Sequence, residues 1–366
     1  AIHPLRVESV AWATERKDVV CGLFVMASLL AYLRMEHEVR EGRSGLGWLA
    51  LSCGMFAGSL LSKSLAIMLP FALVALDACP LGRFAPGPRR RALLEKIPFL
   101  ALSLAAGLVA IRASREVGML HGAEGYAPAA RLVQAAYGLG FYLWKTALPL
   151  GLSPLYPLPD PFDPLEARFV AGVAGAAGIA AALLILRRRF PGLLAAGFCY
   201  AVLLFPVLGL VQQGPQLAAD RYTYLACVPW AVLAAFGLRA APDRRTLPAA
   251  LAVLALLGLL TWRQAGVWRD SETLWNHALS LDAASPRARV NRGIARALEG
   301  NRAGAREDFT EAIRLSPRLA EAHYNRGNVR TDDGDLEGAI RDLTEAIRLS
   351  PADAMARHNL GVARAL

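Results

Sequence analysis

Three charged segments lie directly against apolar runs, and their side chains have the chemistry to hold a phosphorylated lipid with a polar head. In HPLRVESVAWATERKD (3–18), the residues His3, Arg6, Glu8, Glu15, Arg16, Lys17 and Asp18 precede an apolar stretch. In SLLSKSLAIMLP (59–70), Lys63 is a lone cation between two closely spaced apolar runs. In QQGPQLAADRYTYL (212–225), Asp220 and Arg221 stand at the mouth of another run, beside Tyr222 and Tyr224. Arginine presents a planar fork of donors that matches phosphate. Tyrosine at the same depth stacks on a sugar or hydrogen-bonds to a head group. Charge near membrane depth is costly and generally has a partner or a task. Each segment also has a plainer reading: a solvated loop with local ion pairs for 3–18, a lysine snorkelling to lipid phosphate for Lys63, and an interfacial aromatic belt with an Asp–Arg pair for 212–225. These residues alone do not name a reaction.

The elements that must position them are membrane helices. Hydrophobic residues make up 55% of the chain, and eight apolar runs recur at about 19–33, 46–61, 65–79, 93–111, 168–186, 193–211, 222–240 and 247–263. Some need flanking residues to reach the ~20 residues of a full span. The net charge of +10 is placed mainly between runs, so it speaks for topology rather than for nucleic acid. Arg34, Arg40 and Arg43, then Arg83 and Arg89–Arg91, then Arg187–Arg189, then Arg239, Arg244 and Arg245 fall on one side if the spans alternate. That is the positive-inside pattern. Residues 1–18, Ser62–Ser64, 112–167 and 212–221 then share the outer face. The segment 132–152 is apolar enough for a ninth span, which would invert the later arginines. Lys145 and Pro149 interrupt it and its aromatics suit the head-group zone, so an interfacial or re-entrant helix is expected. In 168–186, Gly172, Gly175 and Gly178 allow close helix approach. The five cysteines lie in or beside apolar runs without metal-ligand spacing and read as small core residues. No metal site or other cofactor is evident, although a divalent metal remains open.

Beyond about residue 286 the pattern changes. Gly293, Gly327 and Gly361 lie 34 apart, as do Gly300 and Gly334, Ala305 and Ala339, and Pro317 and Pro351. A 34-residue period with small residues at these places is the tetratricopeptide signature. Two full repeats are expected at 286–319 and 320–353, with a third truncated. Residues 270–286 read as the second helix of a degenerate first repeat, and Trp275 as a dock onto the membrane body. Asn291, Asn325 and Asn359 recur at repeat spacing. They are candidates for peptide backbone contact on a concave face, or for polar packing between repeats.

HPLRVESVAWATERKDVVCGLF, LLSKSLAIMLPFALVALDACPLGR and QLAADRYTYL resemble bacterial relatives of the transmembrane-and-tetratricopeptide-repeat (TMTC-type) O-mannosyltransferases, over nearly the whole chain. The resemblance implies an all-α protein: a polytopic transmembrane GT-C-like bundle over 1–264, a linker with a degenerate repeat helix over 265–285, and a tetratricopeptide α-solenoid over 286–366. It implies transfer of a sugar from a polyprenyl-phosphate donor to protein hydroxyls on the outer face, mannose being the eukaryotic case, with the repeats binding the acceptor. The alternation of spans puts the repeats outside, in the periplasm or lumen, and with the bacterial resemblance a bacterial inner membrane with periplasmic repeats is expected. Glu8, Arg16 and Asp18 would line the site. Arg221 would bind the lipid-linked phosphate with Lys63 as a second candidate, and Asp220 and Tyr222 would line the same pocket. The acidic base of such enzymes is expected before residue 1, so residues 1–366 alone are expected to be inactive. A non-catalytic membrane scaffold and a lipid-sugar transporter are the competing classes. The transporter is disfavoured by polar clusters gathered mainly on one face.

Overall fold

A computed structural model describes residues 2–84, 89–116, 128–159, 162–210, 216–240 and 245–366. Gln212, Gln213 and Arg244 lie outside the described residues. The chain divides into two compact units, Ala1–Leu152 with Tyr156–Gln264, and Ser153–Leu155 with Ala265–Leu366.

The first unit begins with a short helix α1 (Val7–Ala11) and the long α2 (Arg16–Arg40). Then come α3 (Leu46–Ser62), α4 (Leu69–Ala78), α5 (Arg89–Leu94), α6 (Ile97–Glu116), α7 (Pro128–Ala147), α8 (Ala167–Leu186), α9 (Pro191–Leu204), α10 (Thr223–Ala226), α11 (Val228–Ala240) and α12 (Thr246–Val267). Each apolar run of the sequence falls on one of these helices or on a pair of them. Among the described residues, four helices are long and apolar enough to cross a membrane: Ala13–Arg40, Arg89–Ser114, Ala167–Leu186 and Thr246–Val267. Asp220–Ala226 with Val228–Ala240, bent by 55°, makes a fifth if the pair is one span. Leu46–Ser62, Ser64–Ala78 and Pro191–Val207 are apolar but shorter. The 17 residues of α3 rise only about 25 Å, against a hydrocarbon core of about 30 Å. α7 is one continuous 20-residue helix, outside the set long and apolar enough to cross.

Burial agrees with a lipid environment. In the apolar windows of Ala167–Leu186 and Thr246–Val267, 6% and 0% of residues are buried inside the protein. Helices apolar on every side and uncovered by protein need a hydrocarbon solvent. The packed core lies further in, where Val25, Phe56, Leu73 and Phe99 join α2, α3, α4 and α6. Here α2 and α3 are fastened by reciprocal bonds: Ser28 Oγ and Ser52 Oγ each donate to the other residue's carbonyl at 2.8 Å. Gly172 does the work foreseen for it, since a Cβ there would meet the Tyr137 ring at 2.7 Å. Gly175 and Gly178 face open space. A two-stranded antiparallel pairing joins β1 (Tyr156–Pro157) to β2 (Gln216–Ala218). All five cysteines are free.

The second unit is a stack of helices: α13 (Ser271–Leu281), α14 (Pro286–Leu298), α15 (Arg302–Leu315), α16 (Ala320–Asp332), α17 (Leu336–Leu349) and α18 (Ala354–Ala365). Its boundaries follow from local chemistry. Ser285 caps α14 by accepting from the Ala288 N–H, with Pro286 in the first turn. Asn301 and Asp335 cap the second helix of each pair. Gly300 and Gly334 turn the chain with φ of 86° and 81°, a region that favours glycine. The protein is therefore all-α, apolar membrane-length helices followed by a tetratricopeptide stack. Trp275 packs against Ala278, Leu279 and Ala288 within that stack.

Candidate functional site

The three charged segments meet at one end of the first unit. α1 and the start of α2 bring Glu8, Glu15 and Asp18. The break between α3 and the turn Ser64–Met68 brings Lys63, and the turn Asp220–Tyr222 brings Arg221. Lys63 has helix on both sides, so its backbone is extended (φ −160°) and its side chain leaves the helix pair at the end.

Two cations stand on a bed of three carboxylates. Lys63 Nζ lies 2.7 Å from Glu15 Oε2 and also pairs with Asp18. The Arg221 guanidinium pairs with Glu8 and lies 3.6 Å from Glu15 Oε1, so Glu15 bridges the two cations. The Arg221 N–H donates to Glu8 Oε2 at 2.8 Å. The guanidinium also lies over the rings of Tyr222 and Trp12, at 5.1 and 5.5 Å. Ser9 Oγ donates to Asp18 at 3.3 Å, Tyr156 Oη to Asp220 at 2.9 Å, and Gln216 Nε2 to Tyr222 Oη at 2.6 Å. Burial pushes the Glu8 carboxyl up from its ordinary range, and the Arg221 charge pulls against it.

Access is divided unequally. The Glu8, Glu15 and Asp18 side chains are 2%, 8% and 1% exposed, whereas Lys63 and Arg221 keep 17% and 11%. The carboxylates hold the cations from behind, and the cations retain what solvent contact there is. Trp12 beside them is half-exposed.

Of the residues expected from the sequence, Glu8, Asp18, Lys63, Arg221, Asp220 and Tyr222 come together in this region. Arg16 does not: it is exposed on the first turn of α2. A helix turns about 100° per residue, so the side chain one position after Glu15 cannot share its direction. Glu15 takes the bridging role instead. Gln216, Tyr156 and Trp12 also join the site without having been singled out. The alternation of spans already put 112–167 on this face, and that was the available signal for Tyr156.

The arginines between spans are not all alike, and here the structure corrects the sequence reading. Arg187–Arg189 are exposed, as topology residues should be. Arg83 is buried, with Nε 2.9 Å from Glu36 Oε2, Nη2 2.6 Å from Glu95 Oε2 and Nη1 3.2 Å from Asp77 Oδ1. Lys96 Nζ, also buried, lies 2.6 Å from Asp77 Oδ2, and Tyr32 Oη donates to Asp77 at 2.8 Å. Asp18 and Tyr32 are 14 positions apart on α2, about 21 Å of helix. Buried ionic clusters therefore occupy both ends of α2, and the one-sidedness that counted against transport is not found. The signal missed was the set of acids, Glu36, Asp77 and Glu95, placed among these arginines.

In the repeats, Asn359 Nδ2 donates to Asn328 Oδ1 at 2.8 Å and to Tyr324 Oη at 3.2 Å, so it packs between helices of successive repeats. Asn325 Nδ2 donates to the Glu321 carbonyl of its own helix at 2.8 Å. Asn291 is half-buried. The repeats also carry a recurring arginine–aspartate fork. Arg292 grips Asp308 at 2.6 and 2.9 Å, and Arg326 grips Asp342 at 2.7 and 2.8 Å, one repeat later. Arg296 and Arg330 complete each cluster at 3.0 and 2.9 Å. Among the described residues, no group of three or more His, Cys, Asp and Glu could hold a metal ion.

Known proteins resemble this chain in part. A TPR repeat family matches residues 327–366. The human protein O-mannosyl-transferase TMTC4 is 27% identical, the match covering 83% of this chain and 47% of that protein. The chain thus spans about half the length of the curated relative it matches. The second TPR domain of human RPAP3, solved with an HSP70 peptide, is 24% identical over 28% of this chain and 82% of that one, with a TM-score of 0.25. The chain is a membrane-helix protein with tetratricopeptide repeats, distantly similar to an O-mannosyltransferase.

Proposed function

We propose that this protein belongs to a membrane glycosyltransferase that moves a sugar from a polyprenyl-phosphate donor to protein hydroxyls on the outer side of the membrane, with the repeats presenting the acceptor. The observation that carries this reading is the pairing of Lys63 and Arg221 at one end of the apolar helices. Both are backed by buried carboxylates, both are partly open, and Trp12 and Tyr222 flank the guanidinium. A phosphate entering from the open side meets two cations already fixed in place, which is how preorganised charge stabilises a leaving group.

In the transfer, the acceptor hydroxyl loses its proton to a base and its oxygen bonds to the sugar's anomeric carbon. The bond from that carbon to the phosphate oxygen breaks, and the polyprenyl phosphate leaves with the electron pair. Arg221 and Lys63 offset the charge that builds on the phosphate. Glu8, Glu15 and Asp18 hold these cations and are not assigned as the base. Tyr222 and Trp12 offer ring faces to a sugar. The name of the human relative points to mannose.

A second reading has one observation in its favour. Both cations are already ion-paired, as in a staple joining α1, α2, α3 and α10, and a non-catalytic scaffold would need no more than that. The test is reconstitution of the full-length protein with radiolabelled polyprenyl-phosphate sugars and acceptor protein extract. Label that enters protein and collapses in a folded Arg221→Ala variant supports the enzyme. Absence of transfer from a broad donor panel leaves the scaffold.

A further inference from the structure

At the end of α2 remote from Lys63 and Arg221, a second feature combines apolar lining with free positive charge. A cleft of about 590 Å³ opens between the end of α2, the start of α3, and α5. Leu46, Leu49 and Leu94 line it together with Arg90, Arg91 and Glu95. The size falls within the about 300–1,000 Å³ of ordinary ligand clefts. Leu46 and Leu94 are 73% and 50% exposed, so the lining offers apolar surface to whatever enters.

The charges in the lining are unequal in freedom. Glu95 is spent: Arg83 holds it from the inside at 2.6 Å and Arg91 from the outside at 3.0 Å. Arg90 is exposed and makes no ion pair among the described residues. The lining therefore combines net positive charge with exposed leucines. It does so where three apolar helices begin or end, the depth at which lipid head groups lie. An amphiphile with an anionic head fits both halves, whereas a soluble anion would leave the leucines uncovered.

We propose that this cleft is a binding site for an anionic phospholipid of the surrounding leaflet, with its phosphate on Arg90 and Arg91 and an acyl chain along Leu46, Leu49 and Leu94. This site is separate from the sugar-donor site and stands whether or not the protein transfers sugar. Arg91 is shared between lipid and Glu95, so an occupied site leans on the Glu95–Arg83 pair and through it on the Asp77 cluster between α2, α4 and α6. The lipid would fasten α5 to the bundle.

The test uses the full chain purified in a neutral detergent. Binding of phosphatidylglycerol and of phosphatidylcholine with the same acyl chains is followed by native mass spectrometry. The expected result is a preference of at least about fivefold for phosphatidylglycerol, the scale of one basic residue acting on an anionic lipid. Arg90→Ala alone should weaken the preference, with the Glu95–Arg83 pair intact, and Arg90→Ala with Arg91→Ala should abolish it. Arg187→Ala with Arg188→Ala, in another exposed basic run, should leave it unchanged. Equal binding of the two lipids would overturn the proposal. So would equal loss in the Arg187/Arg188 variant, which would assign the preference to diffuse surface charge. Displacement of the lipid by millimolar inorganic phosphate would overturn it too, since the site would then hold a free anion.

Discussion

Arg221 and Glu8 lie 213 residues apart and meet twice, once through the Arg221 backbone N–H at 2.8 Å and once through the guanidinium. One carboxylate thus fixes both the backbone and the side chain of the residue proposed to face the donor phosphate. The double contact ties residues 3–18 to the turn Asp220–Tyr222.

The energetic consequence is asymmetric. Removing one member of a buried ion pair leaves the other charge uncompensated and costs about 3–5 kcal/mol, whereas replacing both with apolar groups is often neutral. Glu8→Ala should therefore lower the melting temperature of the detergent-solubilised protein sharply. Glu8→Leu combined with Arg221→Met should restore most of it while abolishing sugar transfer. A double variant as unstable as the single one would show that the pair is not the source of the loss.

The same logic separates the arginines between spans. Asp77→Ala leaves both Lys96 and Arg83 short of a partner, and about 3–5 kcal/mol should be lost. Arg188→Ala touches an exposed side chain and should stay within about 0.5 kcal/mol. Thermal unfolding of the two variants side by side decides this. Similar small shifts would mean that the Asp77 cluster is hydrated and dispensable.

Much of this was legible beforehand because two periods are strong. The 34-residue repeat fixed helix order, caps and turns through Gly300, Gly334 and the small residues between helices. Apolar runs with basic loops sorted the chain ends of each helix, and that sorting put residues 3–18, Lys63 and Arg221 on one face. Which neighbours meet within a face was not legible, because it depends on helix rotation. Arg16 and Glu15 differ by one position, and only one of them points inward. Arg83 looked like Arg187 because a sliding count of charge does not see that Glu36 on α2, Asp77 on α4 and Glu95 in the turn between α5 and α6 converge on it.

Acid should loosen the repeats from their first helix. Asp270 caps α13, and its hydrogen bonds from Thr273, side chain and backbone, with Arg269 adjacent, hold its carboxyl down at about 2. A depressed carboxyl contributes stability above its unfolded value of about 3.9, and that contribution is lost as pH falls through about 2. Protection of α13 amides against hydrogen exchange, relative to their intrinsic rates, should therefore fall between about pH 4 and 2. Asp270→Asn, which keeps a capping oxygen, should flatten the dependence. An unchanged pH profile in that variant would assign the effect to other acids.

The glycines at one repeat position should behave in three different ways. Alanine in place of helical glycine gains about 1 kcal/mol of helix propensity, and overpacking costs about 1–3 kcal/mol. At Gly293 a new Cβ would lie 2.6 Å from the Phe309 ring, which cannot fold away, so the cost should exceed the gain. At Gly327 it would meet Leu343 Cγ at 2.9 Å, and leucine can shift a few tenths of an ångström, so the two effects should nearly cancel. At Gly361 nothing lies within 4 Å, so the gain should stand alone. Hydrogen exchange of the repeat helices should rank the variants of residues 1–366 in that order, with Gly293→Ala least protected and Gly361→Ala most. Uniform stabilisation across the three would mean that close approach of the paired helices is not what holds glycine at this position, and that the 34-residue spacing of these glycines reflects something other than packing.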